Sequence, residues 1–152
     1  MLRAIRMLAP DGWEIDIFER MGELPLFNPD IEMDAPPVVR HFHARVDACD
    51  VLIIASPEYA HGVTGTIKNA LDWLVGFEPF AGKPVAVLNA SPRATHADEA
   101  LKETLRTMAA QVLDEASITL PILGSGLDDT GIAMSQPLAS QIRGMFDSLF
   151  AR

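Results

Sequence analysis

Five consecutive apolar residues, Val51-Leu52-Ile53-Ile54-Ala55, end abruptly at Ser56-Pro57-Glu58-Tyr59-Ala60-His61-Gly62. No other feature constrains the fold as much. A run this short and this uniformly apolar predicts a strand buried on both faces, as in a parallel sheet covered by helices. The polar, Gly-containing turn after it opens a helix predicted over 65–74. In open α/β sheets, ligands sit outside the carboxyl ends of the strands, where such turns lie.

The rest of the chain repeats the alternation. Leu2, Ile5, Leu8 and Ala9 have helical spacing, and Pro10-Asp11-Gly12 stops that helix. Residues 13–18, Trp13-Glu14-Ile15-Asp16-Ile17-Phe18, alternate like a strand with one more exposed face. Residues 24–30, with Pro25 and Pro29, read as a loop. A helix is predicted over 36–48, with Val38, Val39, Phe42 and Val46 as its apolar stripe. A second central strand follows over 85–89, then a turn over 90–95. A long helix is predicted over 97–113 and a strand over 117–123, placed at a sheet edge by Pro121. A loop over 124–131 and a last helix over 135–151 complete the order. Helices and strands in strict alternation predict a parallel sheet with helices on both faces.

Composition sets the limits. The 152 residues suit a single domain with its own core. The formal charge is −9, with no Lys/Arg cluster to offset it, so nucleic acid is a poor partner. No apolar run approaches the roughly 20 residues of a membrane helix. The N-terminus carries no secretory pattern, and the lone Cys49 has no internal partner, which fits a cytoplasmic location.

Several segments in order resemble one family. Ser56-Pro57-Glu58-Tyr59, Gly65-Thr66-Ile67-Lys68-Asn69-Ala70-Leu71-Asp72-Trp73, Gly82-Lys83-Pro84-Val85-Ala86-Val87, Ala90-Ser91-Pro92 and Leu24-Pro25-Leu26-Phe27-Asn28-Pro29-Asp30 are similar to blocks of the NAD(P)H-dependent FMN reductases. That family includes bacterial quinone, chromate and azo-dye reductases. The resemblance runs to about residue 123. It implies a flavodoxin-like doubly wound parallel sheet in three α/β/α layers, FMN and NADPH or NADH as cofactors, and a quinone-like or other small electron acceptor. It also implies a homodimer or homotetramer.

Three departures stand out. Family members open with an apolar strand and a Gly-Ser-x-Arg loop that holds the FMN phosphate; neither precedes the helix that starts near Leu2. Such a strand and loop take roughly 15 to 20 residues. The Asn that usually follows Glu-Tyr is Ala60, and the loop Ser91-Pro92-Arg93-Ala94-Thr95-His96 has no Gly. With the first strand missing, 13–18 and 51–55 are left with unpaired inner edges, which are costly. Either these two segments pair directly, or a second chain supplies a strand, or the sequence lacks its natural N-terminus. The last is favoured, making 1–152 one flavodoxin-like domain truncated relative to its family.

Flavin carries its own hydride chemistry, so the protein's part is to bind and orient it. No catalytic triad is expected and none is present. By the resemblance, Pro57, Glu58, Tyr59 and Ala60 lie along the flavin ring, with Tyr59 as an aromatic wall. Ser91 and Arg93 belong to a second cofactor loop. Arg93 meets a cofactor phosphate or the charge at the flavin N1/O2 edge, or else is a solvated loop arginine. His61 is a candidate substrate contact, with an ordinary surface histidine as the plainer alternative. Asn69, Trp73 and the Lys68/Asp72 pair read as structural, Trp73 as a core or subunit-contact anchor. Without the phosphate loop, the rival function is a non-catalytic module retained for subunit association.

Overall fold

The computed structural model describes residues 1–150. In chain order, helix α1 (Leu2–Met7) and helix α2 (Pro37–Ala48) precede strand β1 (Leu52–Ala55). A short hairpin of β2 (Glu58–Tyr59) and β3 (Gly62–Val63) leads into α3 (Gly65–Asp72). Then come β4 (Pro84–Leu88), α4 (Thr95–Thr107), β5 (Gln111–Val112), α5 (Asp129–Met134) and α6 (Gln136–Phe150).

β1 pairs in parallel with β4, Leu52 opposite Val85 and Ala55 opposite Leu88. β5 pairs in parallel with the other edge of β4. Successive side chains of a strand point to opposite faces, and the core divides accordingly. Ile54, Val85 and Val87 pack on one face with Phe42 and Val46 of α2, Leu71 of α3 and Leu105 of α4. Ala86 and Leu88 pack on the other with Ile5 of α1 and Ile142 and Phe146 of α6. The result is the predicted three-layer α/β/α arrangement.

Local chemistry fixes the joints. Pro37 sits in the first turn of α2, where its missing N–H costs nothing. At the other end of α2, the Lys83 ammonium donates to the carbonyls of Asp47 and Cys49 at 3.1 and 2.8 Å. A cation there suits the helix dipole and fastens α2 to the start of β4.

Several boundaries differ from the sequence expectation. Segment 13–18 forms no ladder; it keeps only the alternation, with Ile15 and Ile17 half-buried and Glu14 and Asp16 exposed. Nor does it pair with β1, whose ladder among the described residues runs to β4. β1 is therefore an edge rather than a strand buried on both faces: Leu52, Ile53 and Ala55 are half-buried. The doubly flanked Val85, Ala86, Val87 and Leu88 are at most 2% exposed.

The helix predicted over 97–113 stops at Thr107. Ala109 turns left-handed (φ 60°), and the amides of Ala109 and Ala110 bond back to the carbonyls of Arg106 and Leu105. This is a Schellman closure with Ala in the place glycine usually takes. The strand predicted over 117–123 is reduced to one parallel bridge, Asn89 with Thr119. A 3₁₀ turn at Asp114–Ala116 precedes it, and the Ser117 hydroxyl accepts the Val87 amide that a strand carbonyl would have taken (2.9 Å). The loop predicted over 124–131 gives way to α5, capped by Asp128 accepting from the Gly131 amide at 2.7 Å. Ala151, at the end of the predicted last helix, lies outside the described residues.

Candidate functional site

Two loops leave the carboxyl ends of the neighbouring strands β1 and β4. The first is a two-residue hairpin. Glu58 pairs with Val63 and Tyr59 with Gly62, so Ala60 and His61 form the turn. Both are left-handed, at φ 49° and 59°. That is the type I′ geometry, in which Asn-Gly is preferred because both positions need positive φ. The Ser56 and Thr64 hydroxyls meet at 3.2 Å beneath the hairpin. Thr64 also caps α3 by accepting from the Ile67 amide.

The second loop is organised by Asn89, which is buried. Its side-chain oxygen accepts from the Ser91 amide at 3.0 Å, and its Nδ2 donates to the Ala94 carbonyl at 2.9 Å. Ser91 is buried too, and its hydroxyl accepts from the Arg93 amide at 3.2 Å. The turn is thus held by its own polar groups without glycine.

Glu58 joins the loops. Its carboxylate accepts from the Ala97 amide in the first turn of α4 at 2.9 Å and meets His61 Nδ1 at 3.1 Å. Ala94, the residue before α4, offers no side-chain cap, so the cap comes from the other loop. The Ala97 amide above all holds the Glu58 carboxyl below the usual glutamate range; burial opposes it, and His61 adds a smaller lowering effect. The His61 and His96 rings meet edge-on at 4.4 Å. A void of only about 10 Å³ remains under the hairpin, so the two loops are closely packed.

The structure therefore brings Pro57, Glu58, Tyr59, Ala60 and His61 together with Ser91 and Arg93. It assigns them different tasks. The Glu58 side chain, 11% exposed, points away from the loop mouth into α4. The Tyr59 ring is 69% exposed, and Arg93 is exposed with no side-chain hydrogen bond or ion pair among the described residues. His61 is turned to Glu58 and His96. Asn69 and Trp73 work behind the site. Asn69 accepts from the Phe27 amide and donates to the Leu24 and Pro25 carbonyls, and the Trp73 indole donates to the Pro25 carbonyl at 2.8 Å. They fasten the 24–30 loop to α3. Trp73 is 1% exposed, a core anchor within this chain. Asn89 was missed by sequence reasoning; an Asn at the end of an apolar run, two residues before Ser, was the available signal.

The sequence matches the NADPH-dependent FMN reductase family over residues 1–122. The chain belongs to that family. It is 32% identical to an NAD(P)H-dependent FMN reductase of Pseudomonas aeruginosa over 130 residues, 82% of this chain and 70% of that protein. It is 33% identical to a quinone reductase of Pseudomonas putida over 138 residues, 85% of this chain and 73% of that protein. Against a second Pseudomonas putida quinone reductase, identity is 41% over 98 residues, 60% of this chain and 51% of that protein. Among solved structures, the Paracoccus denitrificans flavoenzyme NAD(P)H:(acceptor) oxidoreductase FerB superimposes with a TM-score of 0.77 at 25% identity, covering 99% of this chain and 87% of that one. The fold of this family member is flavodoxin-like, and its cofactor class is FMN with NAD(P)H.

The residues present fit the ring end of that cofactor. The loops at two adjacent strand ends carry an exposed aromatic residue, Tyr59, and an exposed arginine, Arg93. The nearby first turn of α4, a natural anion site, is already occupied by the Glu58 carboxylate.

Proposed function

We propose that this family member is an FMN-dependent NAD(P)H oxidoreductase acting on a quinone-like or other small acceptor. One observation carries the reading: the hairpin and the Asn89 loop stand at the carboxyl ends of adjacent parallel strands, within the family match. Bound FMN would take a hydride from the nicotinamide and pass electrons to the acceptor. The chain's own part is binding and orientation. Tyr59 offers its ring as a wall, the Ala60 and His61 amides donate to the pyrimidine edge, and Arg93 offsets negative charge at that edge or on a cofactor phosphate. His61, poised beside His96, is the residue placed to meet an acceptor.

The open flank of β1 favours a second reading, a non-catalytic module that associates with copies of itself. An absorbance titration with FMN, followed by NADPH and NADH oxidation with a benzoquinone acceptor, separates the two. The enzyme reading expects flavin bands from bound FMN and acceptor-dependent oxidation that saturates with added FMN. A protein that stays colourless and shows no oxidation with excess FMN is not this enzyme. Sedimentation in the same buffer tests for the homodimer or homotetramer.

A further inference from the structure

The His61 side chain stands 75% exposed at the tip of the β2–β3 hairpin, yet one of its two nitrogens is already engaged. Nδ1 lies 3.1 Å from Glu58 Oε1. The other carboxylate oxygen, Oε2, accepts from the Ala97 amide at 2.9 Å and ties Glu58 to the first turn of α4. That bond lowers the Glu58 pKa, and an ionised carboxylate only accepts hydrogen bonds. The proton between the two groups therefore sits on Nδ1 of His61. Nε2, which has no hydrogen-bond partner among the described residues, is the nitrogen left to gain and lose a proton. The charged and titratable groups on the surrounding elements are Glu58 and Tyr59 of the hairpin, Arg93 of the second loop, and His96 and Asp98 of α4. Asp98 is paired with Lys102 at 2.7 Å, and the His96 ring meets His61 edge-on.

We propose that His61 donates a proton from Nε2 to the electron acceptor, with Glu58 as the residue that positions it. This rests on the oxidoreductase reading above. A quinone becomes a hydroquinone by gaining two electrons and two protons. A hydride from the reduced cofactor brings both electrons and one proton. Its transfer leaves one quinone oxygen as an anion, and the second proton goes there. His61 in its imidazolium form breaks its Nε2–H bond as the O–H bond forms. The ring ends neutral, with its remaining proton on Nδ1 against Glu58, and regains the lost proton from water. Glu58 thus fixes which nitrogen is free, the role a carboxylate plays behind a histidine base or acid. The backbone points the same way. His61 is held at φ 59°, in a turn position that suits Asn or Gly, and conformational cost of this kind gathers at functional sites.

His61→Asn removes the imidazole and supplies a residue that the left-handed turn favours, so it tests chemistry rather than folding. The first readout needs no flavin. Nitrogen-15 spectra of the imidazoles, with the His61 signals assigned by their loss in His61→Asn, are expected to show the neutral ring protonated on Nδ1. In Glu58→Gln the balance should move toward Nε2–H. The second readout compares two acceptors with the FMN-loaded protein. Ferricyanide takes up electrons and no proton, whereas a benzoquinone needs both. His61→Asn is expected to lower the benzoquinone-to-ferricyanide ratio of kcat/KM about a hundredfold. Glu58→Gln should lower it less. In the unsubstituted protein the same ratio should fall as rising pH deprotonates His61, and in His61→Asn that fall should vanish. A neutral His61 carrying its proton on Nε2 overturns the proposal. So does an unchanged ratio in His61→Asn, whether both acceptors slow equally or neither does. Those results leave the oxidoreductase reading standing. Failure of the unsubstituted protein to turn over either acceptor removes that reading, and the proposal with it.

Discussion

Ala60 and His61 show how a single residue carries conformational cost at a site. Left-handed backbone costs an L-residue about 1–2 kcal/mol, and Asn tolerates it better than Ala. An Asn at the first turn position would therefore ease the backbone as well as add a polar group. Ala60→Asn is expected to raise stability by about 0.5–1 kcal/mol, read as a higher denaturant midpoint at unchanged slope. Glu58 makes a second residue-scale case. Its pKa is lowered in the folded protein, so its contribution is present above the ordinary glutamate range and is lost as pH falls through the lowered value. The protection of the Ala97 amide from exchange, relative to its intrinsic rate at each pH, should fall as Glu58 is protonated below the ordinary glutamate range. In Glu58→Gln, which keeps an acceptor without charge, that pH-dependent loss of protection should disappear. Identical pH curves for the two proteins would remove the clasp from the account.

At the scale of elements, β1 and β4 were indistinguishable as sequence: both are short apolar runs following helices. Their environments separate them. β4 has a neighbour on each side and β1 has one. Leu88→Ala should cost about 2–5 kcal/mol, as for a fully packed core position. Ile53→Ala, on β1, should cost about half as much, because its side chain is already half-exposed. Equal losses would mean that the open flank of β1 is covered in solution. The end of α4 was illegible because its apolar stripe runs on and no glycine marks the stop. Ala109 takes the left-handed position and releases Gln111–Val112 to pair with β4. Its start was equally illegible, since the capping carboxylate comes from 39 residues upstream.

At the scale of the molecule, ligand binding couples to stability. If FMN binds the folded chain alone, saturation at a hundred times Kd adds about 2.7 kcal/mol. The thermal midpoint should then rise with FMN concentration and stay flat with riboflavin-free buffer. A midpoint indifferent to FMN would leave the ring loops without a flavin partner. What the sequence by itself determined was the three-layer α/β/α order and the two loops at strand ends, because apolar periodicity and the Ser56–Trp73 block are local signals. The family followed from those same residues. Tertiary structure alone decided which backbone edges pair. It left β1 open toward segment 13–18, reduced the last predicted strand to a bridge and turned Glu58 into the cap of α4. Those outcomes depend on hydrogen bonds between residues far apart in the chain, and no local pattern encodes them.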